Sequence, residues 1–366
     1  MAAALFELSA RWLWITDGTF LYPRSHQLFV YDPDLNYRLR PNFSIAGETS
    51  KLHLRVGFRV NELHLRGPSP DARDSWVVVG DSVAFGFGVE ESETFCAQLE
   101  NELGGAVQIL NAGTPGYNTE QIALRARELV AQLQPRRVIV LLNANDAEAR
   151  YFMAHAGLTT KRFQTYPWEA GQYPPNYPPE IALTVDPTKH LRLRALGALL
   201  GGKWPLKNRI SYNPPPGPDQ MDRYLEYEER QRAFWNSNAA DAVRRREQAV
   251  AASVALVEDL AAAGTEVLVA SFPWTVSVLR PRSETKGAAD PVREHWLRTL
   301  RATGATKVVD LLPPLLAAER DTPQFLVADG HPNAPGHRTI ALPLSKALRL
   351  NNAIGSQEPP DPPAGK

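Results

Sequence analysis

Four short stretches of this 366-residue chain carry groups able to act together on a carbonyl carbon. In VVVGDSVAFGFGV an apolar run ends at Gly80, Asp81 and Ser82. A serine hydroxyl is a weak nucleophile until a base takes its proton, so Ser82 needs a partner. DGHPNAPGH, near the C-terminus, offers one: Asp329 precedes His331 by two residues. A carboxylate can hold an imidazole in the tautomer that leaves its other nitrogen free to accept the serine proton. Taken alone, the pair reads equally as a helix-capping arrangement.

The other two stretches supply donors. Acyl transfer develops negative charge on the carbonyl oxygen, and a preorganised amide or asparagine donor lowers that barrier by about 3 to 4 kcal/mol. NAGTPGYNT (111–119) contains Gly116, and NAND (143–146) contains Asn145. Gly113 and Gly116 also fit as plain turn glycines, and Asn145 with Asp146 as a helix cap. Asp81 and Asn143 are candidates to touch substrate. His337 reads as a surface residue of the last helix.

Apolar runs place these groups. WVVV (76–79), VQIL (107–110), VIVLL (138–142), VLVA (267–270) and KVVD (307–310) are continuous, as parallel strands buried on both faces are. Helical patterns alternate with them, so the expected fold is an α/β layer with a five-stranded parallel sheet. Phe95, Leu99 and Leu103 form one helical stripe after a cap at Ser92, stopped by Gly104 and Gly105. Ile122, Ala126, Leu129, Val130 and Leu133 form a second, and Val243, Val250, Val254, Val257 and Ala261 a third. Asn333 followed by Pro335 marks the start of the last helix. On this layout the four chemical stretches all fall just beyond strand ends, where open α/β sheets bind ligands.

Residues 75–350 form the expected main domain. Residues 1–74 are a segment packing on it, and 147–239 an insertion after the third strand. That insertion holds 13 of the 32 aromatic residues and 11 of the 31 prolines, a composition suited to a loop-rich cap or to a packed structural insert. The tail from 351 reads as disordered. Lys and Arg together number 40, as do Asp and Glu, so no overall field favours nucleic acid. The one cysteine, Cys96, excludes an intramolecular disulfide and a multi-cysteine metal site. Glu7, Arg11 and Asp17 interrupt the apolar N-terminus before a span of about 18 to 20 residues accumulates. The expected location is the cytoplasm, with association to the cell envelope as the alternative. Oligomeric state is not legible.

Nucleophile, two donors and base thus occur in one order along one sheet. In this the chain resembles the SGNH, or GDSL-like, serine hydrolases, whose four blocks centre on Gly-Asp-Ser, a glycine after the second strand, Gly-x-Asn-Asp, and a C-terminal Asp-x-x-His. Ser82, Gly116, Asn145 and His331 match in turn, over roughly 75–146 and 240–350. The resemblance implies a three-layer flavodoxin-like fold, no metal or other cofactor, and an oxyanion hole from the Ser82 amide, the Gly116 amide and the Asn145 side chain. It also implies a small-molecule or carbohydrate ester as substrate. Two positions depart from the pattern. Asn143 stands where the third block has glycine, and Asp329 is two rather than three residues before His331, a spacing similar to that of relatives that acetylate or deacetylate polysaccharides. The stretches DPDLNYRLRPNF and FRVNELHLRGPSP resemble the leader of longer bacterial members.

Ester hydrolysis through a Ser82 acyl-enzyme is the expected activity. Interception of the same intermediate by an alcohol would make the protein an O-acyltransferase. A non-catalytic glycan-binding module is the alternative of another class. A nucleotide site fits poorly, because GDSVAFGFG lacks a phosphate-loop lysine and the spacing of a dinucleotide fingerprint.

Overall fold

The computed structural model describes residues 28–32, 34–49, 55–147, 151–153, 163–165, 218–280, 290–326 and 330–355. Its centre is a five-stranded sheet of β5 (Ser75–Val79), β6 (Gln108–Asn111), β7 (Arg137–Asn143), β10 (Glu266–Phe272) and β11 (Lys307–Asp310), in the order β11-β10-β7-β5-β6. Every pairing in it is parallel. All five apolar runs are therefore strands, each within two residues of its expected bounds.

Side chains alternate across a strand, and here both faces are covered. Val77, Val79, Val138, Val140, Leu142, Val267 and Val269 enter one core. Trp76, Val78, Ile139, Leu141, Leu268, Ala270 and Phe272 enter the other. The first core is closed by the helices α3 (Thr119–Leu133), α5 (Ala240–Ala262) and α7 (Pro291–Ala302), the second by α2 (Phe95–Glu102), α8 (Leu312–Glu319) and α9 (Ala334–Gly355). The molecule is a three-layer α/β structure. The chain leaves β5 for β6 on one side and returns to β7 on the other, so the loops after β5 and β7 diverge and open a crevice at the carboxyl edge.

Two hairpins precede the sheet: β1 (Phe29–Asp32) with β2 (Asn36–Leu39), and β3 (Phe43–Thr49) with β4 (Arg55–Val60). Their apolar residues, Phe29, Tyr37, Leu39, Phe43 and Phe58 among them, belong to the first core. Arg66 then makes an antiparallel bridge to Asn111 of β6.

Two local expectations are corrected. The N-cap of α2 is Thr94, whose hydroxyl accepts from the Ala97 amide. Ser92 sits instead in the short 3-10 turn Glu91–Glu93, which has its own reciprocal cap between Glu90 and Glu93. On α5 the buried stripe is Ala242, Ala249, Ser253, Leu256, Val257 and Leu260, turned by one position from the valine stripe; Val250 and Val254 are half-buried at its margin. Most of the insertion lies outside the described residues, which do not test its expected loop-rich character. Its described part contains the antiparallel pair of β8 (Tyr151–Met153) with β9 (Phe163–Thr165) and the 18-residue helix α4 (Pro218–Trp235). The N-terminal 27 residues, most of 148–217 and the tail beyond 355 lie outside the described residues. Among the described residues, no helix is long and apolar enough to cross a membrane.

Candidate active site

Strand β5 delivers Ser82 to the crevice. Asp81 caps the four-residue helix α1 (Ser82–Phe85), its Oδ1 accepting from the Val83 amide at 2.9 Å. The loop after β6 supports this turn from below. A Cβ on Gly113 would stand 2.1 Å from the Phe85 nitrogen, so only glycine lets the two loops come this close. The Thr114 amide donates to the Gly80 carbonyl at 3.0 Å, tying the loops further.

From the opposite end of the chain, His331 reaches the same place. Its Nε2 stands 2.9 Å from Ser82 Oγ. The histidine loop is anchored on both sides of the ring. The Leu326 amide donates to the His331 carbonyl at 2.8 Å, and Thr275 Oγ1 donates to the Gly330 carbonyl at 2.9 Å. Phe87, on the loop following α1, packs its ring against the imidazole with 4.7 Å between centroids. Asp329 lies outside the described residues.

Asn145 occupies the 3-10 turn Ala144–Ala147 directly after β7, exposed into the crevice. It is Asp146, not Asn145, that does the capping: its Oδ2 accepts from the Asn143 amide at 2.7 Å. Asn143 is half-buried, with Nδ2 at 3.5 Å from Asp81 Oδ2. Asp81 lies buried behind Ser82, whose hydroxyl also stands 3.3 Å from its Oδ2. Burial pushes the Asp81 carboxyl up from its ordinary range, against the pull of the Val83 amide and of the nearby histidine.

These loops enclose a cleft of about 130 Å³. Ser82, Asn143, Asn145 and His331 all line it; Asp81 and Gly116 do not. Gly116 sits in the turn between β6 and α3, at φ +82°, with the Tyr37 hydroxyl of β2 packed beneath it. Among sequence-identified groups, the structure thus brings together serine, histidine and both asparagines around one opening.

A model of the GDSL-like lipase/acylhydrolase family matches residues 78–339. The chain belongs to this family. The family is one of lipases and acylhydrolases. Over a 75-residue stretch it is 32% identical to the thioesterase 1/protease 1/lysophospholipase L1 of Escherichia coli strain K12, which covers 20% of this chain and 36% of that protein. The match therefore spans about a third of that relative's length. Similar solved structures include a member of the lipolytic G-D-S-L family from Veillonella parvula, with 13% identity, TM-score 0.40 and coverage of 75% of this chain and 98% of that one. Another is the esterase EstA from a Pseudoalteromonas species, with 12% identity, TM-score 0.40 and coverage of 76% and 99%.

Several residues of this GDSL-like site were not singled out in the sequence. The insertion helix α4 contributes Tyr224, Tyr227 and Glu228 to the cleft wall, and the turn from β10 into the next helix contributes Pro273, Trp274 and Thr275. Spacings of three and four put the α4 trio on one helical face, a signal present in RYLEYEE but indistinguishable there from an ordinary packing face. Glu228 is buried. Its Oε2 accepts from the Val276 amide at 2.7 Å, at the start of α6 (Thr275–Leu279), and its Oε1 accepts the Tyr224 hydroxyl at 2.9 Å. Burial holds its carboxyl above the ordinary range, with these donors pulling the other way. His337, expected at the surface, is wholly buried between α9 and α2; the helix turns that face inward.

Proposed function

We propose that this enzyme hydrolyses a short-chain acyl ester of a neutral, hydroxyl-bearing alcohol, such as an O-acetyl group on a carbohydrate, through an acyl-Ser82 intermediate. The observation that carries the reading is the 2.9 Å approach of His331 Nε2 to Ser82 Oγ at the mouth of an open cleft, within the range required of a nucleophile and its base.

In the first half-reaction Ser82 Oγ attacks the carbonyl carbon as His331 Nε2 takes its proton. The Ser82 and Gly116 amides and the Asn145 side chain receive the oxyanion, each donor supplying about 3 to 4 kcal/mol. The imidazolium then returns the proton to the leaving alcohol oxygen. In the second half-reaction water attacks the acyl-enzyme, gives its proton to His331, and Ser82 leaves as the free hydroxyl.

The substrate class rests on the cleft wall. Among the described residues it carries no lysine or arginine to hold a phosphate, while Tyr224, Tyr227 and Trp274 offer aromatic surface with polar edges. About 130 Å³ is close to the ~150 Å³ that accommodates a benzene ring, which suits a short acyl group better than a fatty chain. The catalytic readings of the site, hydrolysis and transfer to an alcohol, share every step up to the acyl-enzyme.

Intact-protein mass spectrometry after exposure to a fluorophosphonate tests the proposal. One adduct mapping to Ser82, absent in Ser82→Ala and His331→Ala, is expected. A folded wild-type protein that takes no adduct would overturn the nucleophile assignment.

A further inference from the structure

The family match begins at residue 78, yet two side chains from the segment before it, Tyr37 on β2 and Arg66 after β4, hold both turns of the proposed site. We propose that Arg66 and Tyr37 are positioning residues of the enzyme, Arg66 for the Ser82 turn and Tyr37 for the Gly116 turn, so that the segment before the sheet is part of the catalytic apparatus. The inference rests on the reading of Ser82 as nucleophile and Gly116 as an oxyanion donor.

Arg66 lies buried beside the end of α1. Its Nη1 donates to the carbonyls of Phe85 at 2.9 Å and Gly86 at 2.6 Å, and its Nη2 to that of Val89 at 2.7 Å. The guanidinium lies over the rings of Phe58 and Phe85, 4.8 and 4.7 Å from their centroids. A short helix leaves its last carbonyls without partners in the helix. Here one planar fork satisfies three converging carbonyls, which a lysine ammonium at the end of a flexible stem does not match in geometry. What is thereby fixed matters to the site at both ends. The amides of Gly86 and Phe87 each donate to the Ser82 carbonyl at 3.1 Å, and Phe87 is the ring that packs on His331.

Tyr37 does the equivalent under the neighbouring turn. Its hydroxyl donates to the Pro115 carbonyl at 2.8 Å, and a Cβ on Gly116 would meet that oxygen at 2.7 Å. The Tyr117 hydroxyl donates in return to the Tyr37 carbonyl at 2.5 Å, and the two rings meet edge-on at 5.3 Å. Pro115 and Gly116 share a peptide plane, so the bond at the Pro115 carbonyl fixes the direction of the Gly116 amide. Neither Arg66 nor Tyr37 lines the cleft. Their effect on turnover passes through the backbone they hold.

The test uses the full chain with Tyr37→Phe, Arg66→Met and Arg66→Lys. It reads the rate of fluorophosphonate labelling at Ser82, kcat and KM on p-nitrophenyl acetate, and the thermal midpoint, with all rates taken at least 20 °C below each variant's midpoint. Tyr37→Phe is expected to lower kcat and the labelling rate about tenfold with KM within twofold, because the lost alignment matters mainly in the transition state. Arg66→Met is expected to lower labelling by more than tenfold, with little restored by Arg66→Lys. Wild-type labelling and kcat in folded Tyr37→Phe and Arg66→Lys overturn the proposal, whatever Arg66→Met does. A loss that disappears once rates are compared at equal distance below the midpoint also overturns it. Failure of the wild type itself to label at Ser82 would instead strike the underlying nucleophile reading, and this inference with it.

Discussion

His337 lies parallel to Phe95, ring planes 9° apart with centroids at 6.1 Å, and its Nδ1 accepts the Phe95 backbone amide at 3.1 Å. This contact pins α9, which directly follows the His331 loop, to the start of α2. Burial, with the nearby charges of Arg66 and His331 acting in the same sense, pushes the His337 imidazole down to about 3.

The shift has a sign that can be measured. The folded protein keeps His337 neutral down to about pH 3, whereas in the unfolded chain it takes up a proton through about 6.5. Between those values the unfolded state binds more protons, so stability rises with pH across the window. The contribution is present in full above about 6.5 and is lost as pH falls towards 3, amounting to a few kcal/mol at about 1.4 kcal/mol per unit. His337→Asn keeps an acceptor for the Phe95 amide but cannot titrate. Its urea midpoint is expected to vary less than that of wild type between pH 4 and 7; parallel profiles would assign the acid sensitivity to other groups.

Asn145 is exposed in the cleft and takes no part in the cap that Asp146 provides. Asn145→Ala should therefore fold normally and lose about a hundred- to thousandfold in kcat, with KM on p-nitrophenyl acetate little changed. A loss under tenfold would remove it from the oxyanion hole.

Gly113 has no room for a methyl group, since the atoms it would meet are the backbone of Ala84 and Phe85 rather than a movable side chain. Gly113→Ala should cost roughly 1–3 kcal/mol or more in chemical denaturation. The displaced backbone belongs to the helix that Ser82 begins, so fluorophosphonate labelling should slow in the fraction that remains folded. Unchanged stability would mean that the loops separate more easily than their hydrogen bonds suggest.

Tyr227 is 45% exposed on the cleft wall. Tyr227→Ala is expected to raise KM several-fold for an acetylated sugar such as glucose pentaacetate, while kcat on p-nitrophenyl acetate and the thermal midpoint stay near wild type. Equal effects on both substrates would argue against a role in holding the alcohol portion.

Much of this arrangement is legible in the sequence because parallel strands buried on both faces leave uninterrupted runs, and Ser82, Asn143 and Asn145 fall directly after two of them. Local patterns became less informative where packing partners decide the outcome. Ser92 and Thr94 are both favourable caps by type, serine the better, and the Glu90–Glu93 pair, by closing its own 3-10 turn, leaves Thr94 as the cap. On α5, alanines and leucines compete with valines for the inward face, and contact with elements such as Trp296, whose indole nitrogen donates to Ser253 at 3.1 Å, fixes the rotation. His337 is polar by type, and its burial depends on α2, some 240 residues earlier in the chain. The cleft face of α4 is invisible until the helix is docked, through Glu228 and Val276, against the end of β10.

The bridge from Arg66 to Asn111 has a further consequence, for solubility. Strand β6 is the last strand on its side of the parallel sheet, and an uncovered outer strand is a template on which another polypeptide can add itself. The Arg66 amide donating to the Asn111 carbonyl at 2.9 Å occupies that border with the chain's own backbone. A version trimmed to begin just before β5 would bare it, and would be expected to self-associate during expression even if its three layers still formed.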